Sequence, residues 1–262
     1  MDPALRAAAT GMMAQQTRTE VIANNLANVN TTAFKRSRAH FVDLLYQTMQ
    51  GGASTSGGES SVLPSVQIGR GTRLAGVLRN QAQGSLEQTD RPLDLAIEGE
   101  GYFQVQMPSG QLAYTRDGTF QLSDTGTLVT SGGQTVAPGI RVPRDVQSVQ
   151  ISPAGIVSVL QAKSTMPVEI GRIEIARFAN PSGLEAQGEN LYFATPAAGE
   201  AITGFPQDEG MGRLLQGQLE ASNVEIVQEM VDMISAQRAY EINSKAIKNS
   251  DEMSQIASGL IR

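Results

Sequence analysis

Few residues in this chain could do chemistry, and their spacing argues against it. His40 is the single histidine of 262 residues, and there is no cysteine. A transition-metal site or an imidazole relay needs partners that are absent here. Disulfides, thiolate sites and a cysteine nucleophile are excluded outright. Asp90 and Asp94 flank Pro92, while Asp117 and Asp124 stand beside glycine-containing turns. Paired carboxylates can do acid–base work. Aspartate also favours turns, because its carboxylate bonds nearby backbone, and that explains all four more simply. Asp117-Gly118 and Asp124-Thr125-Gly126 lack the ligand run of a calcium loop. In Gly99-Glu100-Gly101 the third glycine of a dinucleotide fingerprint is replaced by Gln104, so this segment reads as a turn between strands. No serine occupies a nucleophile-elbow pattern. The expectation is therefore no catalytic residue, no cofactor or metal site, and a protein that is not an enzyme.

Binding chemistry is equally sparse. Lys35-Arg36-Ser37-Arg38, with Phe34 and Phe41 nearby, is the one basic cluster. The chain as a whole carries a net charge of -6, whereas a nucleic-acid binder usually shows a basic surplus. No nucleic acid is expected, and the cluster reads as a contact surface for an acidic neighbour. Glu189-Asn-Leu-Tyr-Phe193 resembles part of a protease tag site, but Ala194 follows, so it reads as native strand.

The elements that must position these residues fall into an α+β pattern. Residues 3–29 read as a helix, with Asp2 as N-cap and Pro3 in the first turn. Leu5, Ala8, Met12, Gln15, Thr19, Ile22, Leu26 and Val29 recur at alternating three- and four-residue steps, a heptad seam with polar members. Asn24, Asn25, Asn28 and Asn30 are poor helix formers and should end it. Residues 222–258 read as a second, longer helix opened by a Ser222/Glu225 capping box. Its seam is Ile226, Met230, Met233, Gln237, Tyr240, Ser244 and Ile247, with Val224, Val227, Val231 and Ile234 beside it. That apolar face is broader than a two-helix seam needs, and its methionines suit an adaptable helix–helix interface. At 1.5 Å per residue the helix would reach roughly 54 Å. Residues 1–38 hold five bases against two acids, and residues 217–262 hold four bases against seven acids. Opposite charge favours pairing of the two ends.

Between the ends, residues 71–218 read as β-rich. Leu93–Ile97, Tyr102–Gln106 and Ile170–Ile175 have strand length and composition. Ser109-Gly110, Asp117-Gly118, Asp124-Thr125-Gly126, Gly132-Gly133 and Ala154-Gly155 punctuate them as hairpin turns. Residues 50–64 have the Gly/Ser composition of a flexible linker. No signal-peptide pattern and no membrane-length apolar run are read in the sequence, so composition alone suggests a soluble cytoplasmic chain.

Three long motifs change that last expectation. Ala23-Asn-Asn-Leu-Ala-Asn-Val-Asn-Thr31 with Phe34-Lys35 opens the chain. Pro92-Leu-Asp-Leu-Ala-Ile-Glu-Gly-Glu-Gly-Tyr-Phe103 and Tyr114-Thr-Arg-Asp-Gly118 lie centrally. Ser222–Val231 and Gln237-Arg-Ala-Tyr-Glu-Ile-Asn-Ser-Lys245 close it. In this order, over nearly the whole chain, they resemble the bacterial flagellar rod and hook axial proteins. Met1–Arg6 departs from the usual aromatic-containing start of that family. The resemblance implies a coiled coil of segments 1–30 and 219–262 lining an inner tube, and a β-rich outer domain at 71–218. Segment 31–70 would be an extended connector, carrying a rod-type insertion at about 47–66.

The length and that insertion resemble the distal-rod branch, whose members polymerise helically into a rigid, hollow, torque-transmitting shaft. The implied partners are copies of the same chain, proximal-rod and hook proteins, periplasmic and outer-membrane ring proteins, and the flagellar export apparatus. The implied location is the basal body, reached through the flagellar channel without a cleaved signal. The implied assembly-interface residues are Leu5, Met12, Ile22, Asn24, Asn25, Leu26, Asn28, Asn30 and Phe34 near the start. Val227, Met230, Ile234, Tyr240 and Ile247 complete the set near the end, the first four packing against Leu5, Met12, Ile22 and Leu26 across the seam. The rival readings are a proximal-rod or hook-type axial protein, a secreted β-domain with oligomerising helices, and, more remotely, a trimeric coiled-coil adhesin. The secreted-domain reading would require a polar ligand pocket in the β-region, where none is expected.

Overall fold

The structure is a computed structural model that describes residues 3–50, 66–161 and 166–259. Its contacts divide the chain into two units. One comprises residues 1–27, 37–79 and 225–262; the other comprises residues 28–36 and 80–224.

The first unit contains both long helices, α1 (Pro3–Ala27) and α2 (Ile226–Gly259). The first helix ends where the asparagine run begins, as the weak helix preference of Asn requires. The second starts four residues later than expected. The Ser222 hydroxyl accepts the Val224 N–H at 3.3 Å, a local turn rather than the expected cap at the third helical residue. Between the helices lie β1 (Ser37–Asp43), β2 (Tyr46–Gln50), β3 (Val66–Gly69) and β4 (Thr72–Arg79). β1 pairs antiparallel with β4, from Ser37 opposite Arg79 to Asp43 opposite Thr72, with an irregularity at His40/Phe41. β2 pairs with β3 in the same sense, and the Leu44 N–H to Gly71 carbonyl bond at 2.9 Å joins the two pairs. Strand structure therefore begins at Ser37, inside the segment read from sequence as a connector. Most of the Gly/Ser-rich insertion, residues 51–65, lies outside the described residues.

The second unit holds β5 (Leu86–Gln88), β6 (Leu95–Glu98), β7 (Tyr102–Gln106), β8 (Leu112–Thr115), β9 (Gln121–Leu122), β10 (Leu128–Val129) and β11 (Thr135–Val136). It continues with β12 (Val146–Ile151), β13 (Ile156–Gln161), β14 (Val168–Arg172), β15 (Ile175–Arg177), β16 (Glu185–Gly188), β17 (Leu191–Phe193), β18 (Ile202–Gly204), β19 (Arg213–Gln216) and β20 (Gln218–Glu220). The main sheet runs β16-β17-β8-β7-β11-β10-β9, with β15 bridging β7 and β18. β12-β13-β14 form a three-stranded meander, and β19-β6 and β20-β5 form separate pairs. Every pairing in this unit is antiparallel.

These strands and the turns between them deliver one core of Leu95, Ile97, Phe103, Phe120, Leu128, Val136, Ile140, Ile151, Val157, Ile173, Ile175 and Leu214. A second, aromatic cluster packs Tyr102, Tyr114, Phe178 and Tyr192, with Tyr114 edge-on to Phe178 at 4.7 Å. The run read as one strand over 170–175 is split between β14 and β15. Ile173 and Glu174 turn the corner, and the Ile173 N–H donates to the Gly155 carbonyl. Gly99 and Gly101 both have positive φ, so the Gly-Glu-Gly segment is the tight β6–β7 turn that its glycines permit.

Candidate assembly interface

Three points of contact define how α1 meets α2. Gly11 lies so close that an added Cβ would sit 2.9 Å from the Asn243 Nδ2. The Arg18 guanidinium pairs with Asp232 at 3.1 Å. The Asn25 amide donates to the Glu229 carboxylate at 3.1 Å. Numbers rise on one helix as they fall on the other, so the helices run antiparallel. Glycine inside a helix costs about 1 kcal/mol in propensity; here it permits the close approach. Ala14 and Ile22 fall on the same stripe of α1 and are buried. On α2, Glu229, Ala236 and Ser250 are buried. Asp232, Met233, Ala239, Asn243 and Ile247 are half-buried beside them.

The seam within the chain thus mixes small and polar residues with Ile22, Met233 and Ile247, and most of it lies one position away from the expected heptads. Leu5, Met12 and Leu26 are half-buried on α1. Their expected partners are not facing them: Val227 is 70% exposed, Ile234 49%, and Met230 and Tyr240 are also exposed. The periodicity was real, but the apolar stripe it marks points outward. Buried hydrogen bonds and close backbone approach hold the inward stripe instead. Of the expected interface residues, Ile22, Asn25 and Ile247 lie on the inner seam, and Asn24 is exposed on α1. Asn28, Asn30 and Phe34 belong to the second unit. There Asn28 accepts from Thr31, through its side chain at 3.2 Å and its carbonyl at 3.1 Å, while Phe34 is half-buried and Asn30 exposed.

Asn25 does more than the sequence suggested. Its Oδ1 accepts the Ser37 N–H at 2.9 Å and its Nδ2 donates to the Ser37 carbonyl at 2.8 Å. One buried amide thereby holds the first residue of β1 and the Glu229 carboxylate of α2. The ribbon of β1–β4 leaves Leu45, Tyr46, Ile68, Leu74, Val77 and Leu78 exposed. A two-stranded ribbon is marginal by itself in water. Here Thr10 of α1 supports it through the Thr72 N–H, which donates to the Thr10 hydroxyl at 3.3 Å.

The second unit holds an ionic cluster that sequence reasoning missed. Lys35 is buried and donates to Glu220 at 2.5 Å and to the Ala82 carbonyl at 2.8 Å. Arg116 pairs with the other oxygen of Glu220 at 3.3 Å and donates to the Gly99 carbonyl at 2.8 Å. The Arg116 guanidinium also lies 5.2 Å from the Tyr102 ring centre, within cation–π range. Burial pushes the Lys35 amine below the usual lysine range, against the pull of the Glu220 charge. Lys35 is therefore an internal cation and not part of a basic surface for an acidic neighbour, which corrects that reading of the cluster. Its partners are 185 and 47 residues away, too far for any local pattern to signal.

This unit also contains a cleft of about 270 Å³ lined by Thr115, Asp117, Thr119, Thr130, Gln134 and Glu189, among others, where no polar pocket was expected. Its polar groups largely bond one another. Asp117 accepts from the Thr119 N–H and hydroxyl at 3.0 and 2.8 Å, and Gln134 donates to Glu189 at 3.2 Å. His40 is exposed on β1. Among the described residues, no cluster of three or more His, Cys, Asp or Glu could hold a metal.

Family models match three stretches of the chain. Residues 5–35 match the flagella basal body rod protein model, residues 96–159 the flagellar hook protein FlgE/F/G D1 domain, and residues 215–260 the flagellar basal body rod FlgEFG protein C-terminal model. Among curated proteins, the flagellar basal-body rod protein FlgG of Borreliella burgdorferi is 51% identical over 99% of this chain and 98% of its own length. The chain belongs to the flagellar basal-body rod protein FlgG family. Caulobacter vibrioides supplies an internal contrast. Its FlgG is 48% identical over 98% of both chains, whereas its FlgF is 35% identical over 98% of this chain and 97% of its own. The FlgG family thus fits better than its paralogue within one organism. The Asn25 amide and the Lys35 amine both fall in the stretch matched by the rod model, and Glu220 and Glu229 in the stretch matched by the C-terminal model.

Proposed function

We propose that this chain is a structural subunit of the flagellar distal rod, polymerising helically into the rigid shaft that carries torque from motor to hook. The observation that carries the reading is the end-to-end likeness to FlgG, through both helices and the β-rich region alike. The outward apolar stripe of α2 supports it, because an exposed apolar face of this kind marks an interaction surface. In this reading α1 and α2 form the coiled coil that lines a central export channel, and the β-rich unit lies outside. Copies stack through non-closing contacts, which generate filaments. Val227, Met230, Ile234 and Tyr240 face neighbouring copies, and Leu5, Met12, Leu26 and Phe34 contribute from the N-terminal side. The proximal rod, the hook, the surrounding rings and the export apparatus are the further partners. The chain reaches the basal body, from the periplasm to the outer membrane, through the flagellar channel.

Electron cryo-microscopy of purified basal bodies tests this. Density for the chain between proximal rod and hook, with both helices lining the channel, is the expected result. A soluble monomer missing from those particles would overturn it. The higher identity to FlgG than to FlgF within one organism favours the FlgG-type reading over its FlgF-type relative. The internally bonded cleft gives little support to a ligand-binding secreted domain.

A further inference from the structure

The segment 28–36 belongs to the second unit but is severed from the rest of it in sequence by residues 37–79. It has no helix or strand of its own. What holds it is a set of bonds converging on Glu220 and Asn223. The Ala33 N–H donates to the Glu220 carbonyl at 2.7 Å. Lys35 reaches the Glu220 carboxylate, which also accepts the Gly84 N–H at 3.0 Å and Arg116. Asn223 accepts the Arg36 N–H at 2.7 Å and donates to the carbonyls of Asn80 and Ala82, both at 2.9 Å. The Asn190 amide adds a donor to the Thr32 carbonyl at 2.9 Å. None of these residues belongs to the hydrophobic clusters of the unit. Ala33 is fully buried at φ +56°, a left-handed conformation that an L side chain adopts at a cost.

We propose that Lys35, Glu220 and Arg116 form a latch that opens and closes as one step while the β-core stays folded. Open, it frees segment 28–36 and the stretch 222–224 that follows β20, through which the chain leaves the β-rich unit toward α1 and α2. Three features give it this independence. Its energy is chiefly ionic and hydrogen-bonded, and it meets the aromatic cluster through Arg116 over the Tyr102 ring. One carboxylate serves two cations, so losing it leaves like charges facing each other. The strain at Ala33 is relieved on opening. The inference stands whether or not the chain is a rod subunit.

Native-state hydrogen exchange on the full chain tests it. The amides of Ala33, Arg36, Asn80, Gly84 and Asn223 should exchange together, at least ~10-fold faster than those of β7 and β13. Glu220→Gln should accelerate that set by a further factor on the order of ten, leaving β7 and β13 unchanged. Two results would overturn the latch: the five amides exchanging only at the rate of the core strands, or Glu220→Gln accelerating every amide alike. Should the variant fail to fold, the wild-type pattern decides alone.

Discussion

Single side chains set the junctions of this molecule, and their removal should be felt locally. Asn25→Ala deletes three hydrogen bonds, one of them to a buried carboxylate. At about 0.5–1.5 kcal/mol for a neutral bond and 1.5–3 for one to a charge, the loss should be about 2.5–6 kcal/mol, confined to the first unit. Urea unfolding followed by exchange at Ser37 would measure it, and an unchanged midpoint would remove Asn25 from this role. Two ionisable groups give a pH signature. Burial raises the Tyr102 hydroxyl to about 12. The folded state therefore holds that proton more tightly than the unfolded chain, and the stability it contributes is complete below pH 10 and lost as pH rises toward 12. Spectroscopic titration should find Tyr102 ionising only in that upper window or with unfolding. Burial, more than the Asp94 charge, also raises the Asp117 carboxyl. Its contribution is present below the ordinary aspartate range and is lost as pH rises through the raised value. Asp117→Asn keeps an acceptor for Thr119, so it should raise the melting temperature at pH 7 and leave it unaltered near pH 3. An equal effect at both pH values would disprove the burial cause.

At the scale of elements, α2 separates two roles by face. Ile234→Asp alters the outward stripe, so the purified chain should keep its unfolding midpoint while losing assembly. Ala236→Leu overfills a fully buried seam position and should cost about 1–3 kcal/mol in the first unit. If Ile234→Asp assembled normally, the outward stripe would not be the polymer contact. The two helices, the β-rich middle and most hairpin turns were legible in the sequence, because each carries a local signal: heptad spacing, alternation or a glycine turn pair. The seam was misplaced by one position for a physical reason. Heptad reading assumes that apolar residues face the partner helix, while here Gly11, Asn25, Glu229 and Asn243 do. Leu5, Met12 and Leu26 remain only half-covered in consequence. The Lys35–Glu220–Arg116 cluster was illegible because an internal salt bridge and a surface cation look alike until the chain is folded.

Over the whole molecule, both units are assembled from segments distant in sequence. Deleting residues 47–66 would remove most of β2 together with the insertion and the first residue of β3. If that stretch locks neighbouring copies, rods built from the deleted chain should curve under the electron microscope, and straight rods would refute the role. The pairing of Lys35 with Glu220 carries a different consequence, one of timing. A ribosome releases Lys35 185 residues ahead of Glu220. Until then the β-rich unit lacks one of its own pieces, however well its core strands have begun to pair. The nascent chain consequently stays open at this junction until the segment that carries Glu220 has emerged, and the pairing of α1 with α2 comes later still.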